Sequence, residues 1–234
     1  MLSIPKSESF KIFDSIADRY DFINGVLSLG LHTMWRKRVR ESLPSGHNQK
    51  VLDLATGTAD VAIELTNDRK VASVDGLDMS QEMIKLGDTK IKSRNLQDKI
   101  KLRHGDAMTV PAKDCTYNAV TMAFGIRNVR DVEGCLRECY RVLKPGGRVL
   151  MLEFALPDNQ LFKRLHLGYL RHVLPKIGKV LSGHSFAYKY LNETIETFPY
   201  GDDFVALLDK SGFENTKFSS LSFGIVNLYR GDKV

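Results

Sequence analysis

Along this chain, short dense apolar runs alternate with stretches in which apolar residues return every three or four positions. The first dense run is Lys50-Val51-Leu52-Asp53-Leu54-Ala55, a predicted strand, followed by a turn of small residues and a predicted helix over 60–66. A second strand over 71–77 ends at Asp78, and Ser80 stands where an N-cap belongs for a helix over 81–95. Further strands are predicted at 100–103 and 118–123, then a helix over 132–143 with Leu136 and Val142 facing inward. Pro145-Gly146-Gly147 reads as a turn before a fifth strand over 148–154.

The flanks follow another rhythm. Residues 8–43 read as helical, with Phe10, Phe13, Ile16, Ala17 and Tyr20 at helical spacing, until Pro44-Ser45-Gly46. Beyond the fifth strand, Leu161, Leu165, Tyr169, Val173 and Ile177 recur every four residues in a helix over 161–181 that Pro175 should kink or break. Residues 183–190 read as a loop. A helix over 202–211 and strands near 216–221 and 225–230 close the chain. Strands alternating with helices predict an α/β fold, a mostly parallel sheet with helices on both faces.

With 234 residues, 43% apolar and 26% charged, the chain suits one globular domain and excludes disordered or collagen-like classes. Three cysteines are too few and too odd in number for a disulfide framework, so a reducing, cytoplasmic setting is expected. No apolar run approaches the roughly 18–20 residues of a membrane span. The net charge of +6 suggests an anionic partner, and it is patchy. Between Pro157 and Asn192 stand Lys163, Arg164, Arg171, Lys176, Lys179 and Lys189 against Asp158 alone. Arg36, Lys37, Arg38 and Arg40 form a second basic cluster.

In an open parallel sheet, ligands bind at the carboxyl ends of the strands where strand order reverses. Three landmarks fall at such ends. Asp53-Leu54-Ala55-Thr56-Gly57-Thr58-Ala59 makes a close-approach turn at a helix N-terminus. Asp78 stands where an acid can accept both ribose hydroxyls of a nucleotide. Asp106, followed by Ala107, could take an adenine N–H and supply one in return. The dinucleotide fingerprint and the P-loop are both absent. No His/Cys/Asp grouping has metal-site spacing, and Cys135 and Cys139 are read as structural.

The sequence here resembles the S-adenosylmethionine-dependent methyltransferases of the seven-stranded class I fold. Four blocks bring it closer to the ubiquinone/menaquinone biosynthesis C-methyltransferase family. They are Phe13-Asp14-Ser15-Ile16-Ala17-Asp18-Arg19-Tyr20-Asp21, Leu52–Thr58, Phe124-Gly125-Ile126-Arg127-Asn128-Val129, and Arg141-Val142-Leu143-Lys144-Pro145-Gly146-Gly147. The resemblance implies cofactor contacts at Thr58, Asp78, Asp106 and Ala107, with Gly57 and Asp53 in the same turn. Ala123 stands where the family often carries serine, which removes a hydroxyl. Ala55 and Ala59 replace glycines of the wider class; Ala59 should pack harmlessly, and Ala55 is expected to hold the turn at φ below zero. The expected layout is one domain, 1–234: a helical cap (1–45), a cofactor-binding core (46–156), a helical substrate-covering insertion after strand five (157–192) and a closing helix and strand pair (193–234).

The implied reaction is methyl transfer to a ring carbon of a reduced prenylated quinone. The menaquinone branch is favoured over the methoxy-benzoquinol precursor of ubiquinone, partly because no N-terminal targeting region is seen. Arg127 and Asn128, just after the fourth strand, are expected beside the chemistry: Arg127 orienting a phenolate, Asn128 holding a quinol hydroxyl or water. A salt bridge from Arg127 to a nearby acid is the competing reading. Tyr190, Tyr188 and His184 are proton acceptors or pocket walls, Glu153 a substrate-side acceptor, and Arg19 and Tyr20 part of a lid. Leu161, Phe162, Leu165, Leu167, Tyr169, Leu170, Val173, Leu174, Ile177 and Leu181 are expected to line the apolar pocket. The basic insertion then points to transient contact with an anionic membrane surface, at the inner face of the cell membrane, rather than to nucleic acid. An RNA methyltransferase and a non-enzymatic cofactor-binding protein remain as alternatives.

Overall fold

The structure, a computed structural model, describes residues 5–234 except 12, 13, 15–20, 22–24, 26, 27, 29, 175 and 177–184. In chain order the elements are α1 (Leu31–Glu41), β1 (Gln49–Leu54), α2 (Asp60–Leu65), β2 (Val71–Asp78), α3 (Gln81–Ser93), β3 (Ile100–His104) and β4 (Tyr117–Ala123). Then come α4 (Val132–Val142), β5 (Leu143–Phe154), α5 (Gln160–Gly168), α6 (Ser185–Thr197), α7 (Asp202–Lys210), β6 (Glu214–Leu221) and β7 (Val226–Asp232). The strands form one sheet in the order β3-β2-β1-β4-β5-β7-β6. Pairings from β3 to β5 are parallel; β7 runs antiparallel to both β5 and β6.

Both faces of the central strands are covered, which is why β1 and β4 are buried nearly throughout. Alternate side chains feed two cores. Leu52, Leu54, Val120, Met122, Val149 and Met151 pack with Leu136, Cys135, Cys139 and Phe204 of α4 and α7. Val51, Ala119, Leu150 and Leu152 pack on the other side with Trp35, Val39, Ala62, Leu65 and Ile91 of α1, α2 and α3. Ser80 caps α3, accepting from Met83 N at 3.1 Å. Cys135 and Cys139 are fully buried in the first core, in the structural role expected of them.

Several expectations need correction. Strand β5 begins at Leu143, so Pro145-Gly146-Gly147 lies inside it. Gly146, at φ +77°, donates to Lys233 O at 2.7 Å, and the register slips between Tyr117 and Ala119, so the segment is a bulge in a paired strand. The loop expected at 183–190 is helical from Ser185, because Tyr190, Thr194 and Ile195 make one buried stripe on α6. That helix runs on past Asn192. The apolar stripe of the insertion also faces the other way: Leu161 and Leu165 are 65% and 62% exposed, with Phe162 and Val173 also outward. Leu170 and Leu174 are buried instead, reached through a π-helical turn at Tyr169–Val173. Pro175, Ile177 and Leu181 lie outside the described residues. The helical reading of the block 8–43 agrees with the described residues Phe10, Lys11, Asp14, Asp21 and Gly25, which are helical, and with α1, with a 3-10 turn at Lys6–Glu8 ahead of them; Phe13, Ile16, Ala17, Arg19 and Tyr20 are outside the described residues.

Candidate active site

The sheet order reverses between β1 and β4, so the crevice lies beyond Leu54 and Ala123. Ala55 follows β1 at φ +48° and Phe124 follows β4 at φ +57°. Both are non-glycine residues in the left-handed region, a cost of about 1–3 kcal/mol each that tends to gather at functional sites. The expected negative φ at Ala55 is thus overturned. The cause is a crowded junction: a Cβ on Gly125 would lie 2.6 Å from Ala55 Cβ, so the backbone after β4 passes directly against the β1 turn.

Gly57 takes φ +55°, and a Cβ there would meet no atom within 4 Å, standing in open space over the crevice. Its N–H donates to Asp78 Oδ2 at 2.7 Å, while Asp78 Oδ1 accepts from Ser80 N at 2.8 Å. The turn and the acid are therefore locked together, and each oxygen keeps a lone pair for a ligand hydroxyl. Burial pushes the Asp78 carboxyl above its ordinary value, opposed by those two N–H groups. Asp53 is 1% exposed and accepts from Thr56 and Thr121 hydroxyls, both at 2.6 Å. Burial raises its pKa to about 6 against those hydrogen bonds. It braces the turn from beneath. Asp106 accepts from Met108 N at 2.9 Å, shaping the loop after β3, and Ala107 packs on the first core.

Thr58 is also tied to the N-terminal block. Its hydroxyl donates to Asp21 at 2.7 Å and accepts from Lys90 at 2.9 Å. Lys90 also pairs with Asp21 and, at 2.7 Å, with Asp60, which holds Arg36 at 2.8 Å. Asp14 meanwhile accepts from Ser80 Oγ. Two acids of the N-terminal block thus tie down both sides of the nucleotide crevice.

Across the crevice, Arg127 and Glu153 form a buried ion pair at 2.7 Å, 5% and 1% exposed. The salt-bridge reading of Arg127 is the one observed, and Glu153 also accepts from Phe154 N at 2.9 Å. Arg127 donates again to Phe124 O at 2.5 Å and lies 5.3 Å from the Phe154 ring centroid. Its Nε, Asn128 Oδ1 and the Tyr190 hydroxyl are buried with no well-formed hydrogen bond. Such orphaned atoms are costly unless a ligand completes them. Tyr190 lies beside Ser9 and Arg127, and burial raises its phenol pKa. A proton donor, not an acceptor, is therefore what Tyr190 offers at neutral pH. Lys6 stands near Glu153 and Arg127, its pKa lowered by burial, and Ser9 Oγ donates to Lys6 O at 2.9 Å. His184 lies outside the described residues, as does the side chain of Tyr188.

Lys6, Ser9, Asp14, Asp21 and Lys90 escaped sequence reasoning as site residues. Each reaches the site across tens to well over a hundred positions of chain, a separation no local pattern marks. Among the described residues no three His, Cys, Asp or Glu side chains converge as metal ligands, and no helix is long and apolar enough to cross a membrane.

Solved structures share this architecture. A chain of the complex between the Haloferax volcanii Trm112 methyltransferase activator and a methyltransferase superposes with TM-score 0.70 at 18% identity, covering 95% of this chain and 96% of that one. A Thermotoga maritima S-adenosylmethionine-dependent methyltransferase gives 0.68 at 20% identity, over 96% and 100%. The fold is therefore the class I methyltransferase fold, and S-adenosylmethionine is the cofactor that the Gly57–Asp78 crevice suits. In sequence, a protein of Geotalea daltonii called ubiquinone/menaquinone biosynthesis C-methyltransferase is 42% identical, covering 95% of each chain. One of Bacteroides fragilis called demethylmenaquinone methyltransferase is 38% identical, over 97% of this chain and 94% of its own. The model of the ubiE/COQ5 methyltransferase family matches residues 3–233, end to end with the fold and both halves of the crevice, and the chain belongs to that family.

Proposed function

We propose that this methyltransferase methylates a ring carbon of a reduced prenylated quinone, with demethylmenaquinol as its substrate. The observation that carries the reading is the buried Arg127–Glu153 pair. Beside it, the Arg127 Nε, Asn128 Oδ1 and Tyr190 hydroxyl await partners, next to the nucleotide crevice and against the Phe154 ring. A hydroquinone presents what these groups lack: two oxygens on an aromatic plane.

S-adenosylmethionine, when bound, supplies an electrophilic methyl on a sulfonium, and the thioether leaves with the bonding electron pair. The ribose hydroxyls would fall to Asp78, the adenine edge to Asp106 and Ala107, and the close approach to Gly57. The chain's other task is to make carbon nucleophilic. Arg127 stays charged, and a cation beside a phenol lowers the phenol's pKa. Tyr190 donates to the developing phenolate. Asn128 Oδ1 accepts from the second hydroxyl and fixes the ring in line with the methyl. The phenol proton passes to water as the phenolate forms, and the ring proton released on rearomatisation also leaves to water while the product phenolate takes one proton back, so one proton is released overall. Glu153 is a positioning residue that orients Arg127 through its bond at 2.7 Å.

The Bacteroides fragilis name favours the menaquinone branch. An RNA substrate is disfavoured, because the crevice walls are aromatic and Arg171 of the basic insertion is already held by Glu196 at 2.9 Å. A prenyl tail keeps the substrate in a bilayer, so the protein works as a peripheral visitor to an anionic membrane surface. The test is one assay with purified protein, labelled S-adenosylmethionine and the two reduced quinones offered separately. Transfer to demethylmenaquinol exceeds transfer to the methoxy-benzoquinol, and the oxidised quinones take no label. Inactivity on both quinols would overturn the proposal.

A further inference from the structure

The turn between β6 and β7 holds three consecutive left-handed residues, Ser222 at φ +49°, Phe223 at +59° and Gly224 at +87°. Two of them are not glycine, so the conformation is strained and held from outside. Trp35 Nε1 donates to Ser222 Oγ at 2.8 Å, pinning the turn to α1. The strained residue points an aromatic ring at solvent: Phe223 is 79% exposed, more than any other large apolar side chain among the described residues. It stacks on Phe162 of α5, with centroids 5.3 Å apart and planes 12° from parallel. Phe162 is flanked by the exposed Leu161 and Leu165. On the other side, Leu31 and Met34 of α1 are also exposed, one turn before Trp35 and next to it.

We propose that Leu31, Met34, Leu161, Phe162, Leu165 and Phe223 form one wedge that inserts into the headgroup region of a bilayer containing anionic lipid. Three distant segments contribute to it, so it is not the basic insertion acting alone. Charge argues for lipid over a second copy of the chain. Helix α5 carries Lys163 and Arg164 and no acid, so two copies of this face repel each other, whereas anionic headgroups attract it. The cations of α1 are paired, Arg36 with Asp60, Arg40 with Glu64, and Lys37 and Arg38 with Glu41, so α1 contributes its apolar side chains to the wedge rather than charge. Shallow burial of an apolar face ringed by basic side chains is the interfacial mode of binding.

The wedge also connects inward. Trp35 lies 5.8 Å from Phe124 and 6.5 Å from Phe154, and those two rings are 4.5 Å apart. Phe154 in turn lies under Arg127. These ring contacts couple the exposed turn to the buried polar site, so the wedge is placed to present a membrane-held prenylated quinol to it. This use of the wedge rests on the quinol reading above; the membrane contact itself does not.

The experiment is co-sedimentation with phosphatidylcholine/phosphatidylglycerol vesicles, comparing wild type with Phe223→Gly/Phe162→Ser. Glycine suits φ +59°, so the variant should melt no lower through that position. Its partition onto the vesicles should fall at least tenfold. Methylation of a tail-less quinol in solution should stay at the wild-type level, while methylation of a long-tailed quinol in vesicles drops. Wild-type vesicle binding by the double variant would overturn the proposal. So would a dimer that dissociates in the variant while vesicle binding persists, which would assign the face to a second copy. If neither quinol is methylated by the wild type, yet vesicle binding is lost in the variant, the quinol reading fails and the wedge stands.

Discussion

At the scale of single residues, the crevice is built on carboxylates whose environment has been adjusted. Asp78 must be ionised to accept two ribose hydroxyls, and burial raises its pKa. Cofactor affinity should therefore weaken on acidification at a higher pH than an ordinary carboxylate allows. Asp78→Ala should remove detectable binding in calorimetry while circular dichroism stays native; unchanged affinity would mean that the nucleotide lies elsewhere. Asp53 tests the same physics through stability. Its folded pKa of about 6 exceeds the unfolded value near 3.8, so the folded state binds more protons between those values. Stability from this group is thus present below the unfolded value and lost as pH rises through 6, leaving a constant penalty above. Asp53→Asn should flatten that part of the melting-temperature profile between about pH 4 and 7. A slope unchanged from wild type would show that the carboxylate is not the source.

At the scale of elements, the turn after β1 and Asp78 were placed at strand ends because the apolar runs of β1 and β2 are plain in the sequence, while Asp106 follows the shorter, mostly polar β3. Strands β1, β2 and β4 fell within two residues of their predicted bounds for the same reason. The failures have identifiable causes. The Pro145-Gly146-Gly147 bulge is held by pairing with Lys233, nearly ninety positions away. Helix α6 hid behind Gly183, and α5 shows that a four-residue apolar repeat marks a helix without saying which way the stripe faces. Ala55 was misjudged because residue type suggests the easier φ, whereas the contact with Gly125 decides it. Glycine at that position should relieve left-handed strain of about 1–2 kcal/mol, partly offset by the freer unfolded chain. Ala55→Gly is therefore expected to raise the melting temperature by about 2–4 °C, as a gain near 1 kcal/mol gives in a domain of this size. A lower melting temperature would show that the strain is not where the backbone places it.

At the scale of the whole molecule, two separate parts of the chain close over one crevice. The N-terminal block reaches it through Asp14, Asp21, Lys6 and Ser9, and the segment after β5 reaches it through Tyr190. Sequence reasoning singled out Tyr190 from its place in the insertion and did not single out the others, since ion pairs between distant segments leave no periodic trace. The charge distribution follows the same layout: Asp78 and Asp53 lie at the crevice, Asp21 and Asp60 hold Lys90 beside it, and the acid-free basic helix α5 lies outside, at the proposed apolar wedge. The central claim is that this closed site makes a quinol carbon, not an oxygen, attack the methyl. Carbon-13 NMR of the product formed from methyl-labelled S-adenosylmethionine and reduced demethylmenaquinone tests it directly. The account predicts a single aryl C-methyl signal, with no label in a methoxy position. Label appearing on a quinol oxygen, or none on the quinol at all, would contradict it.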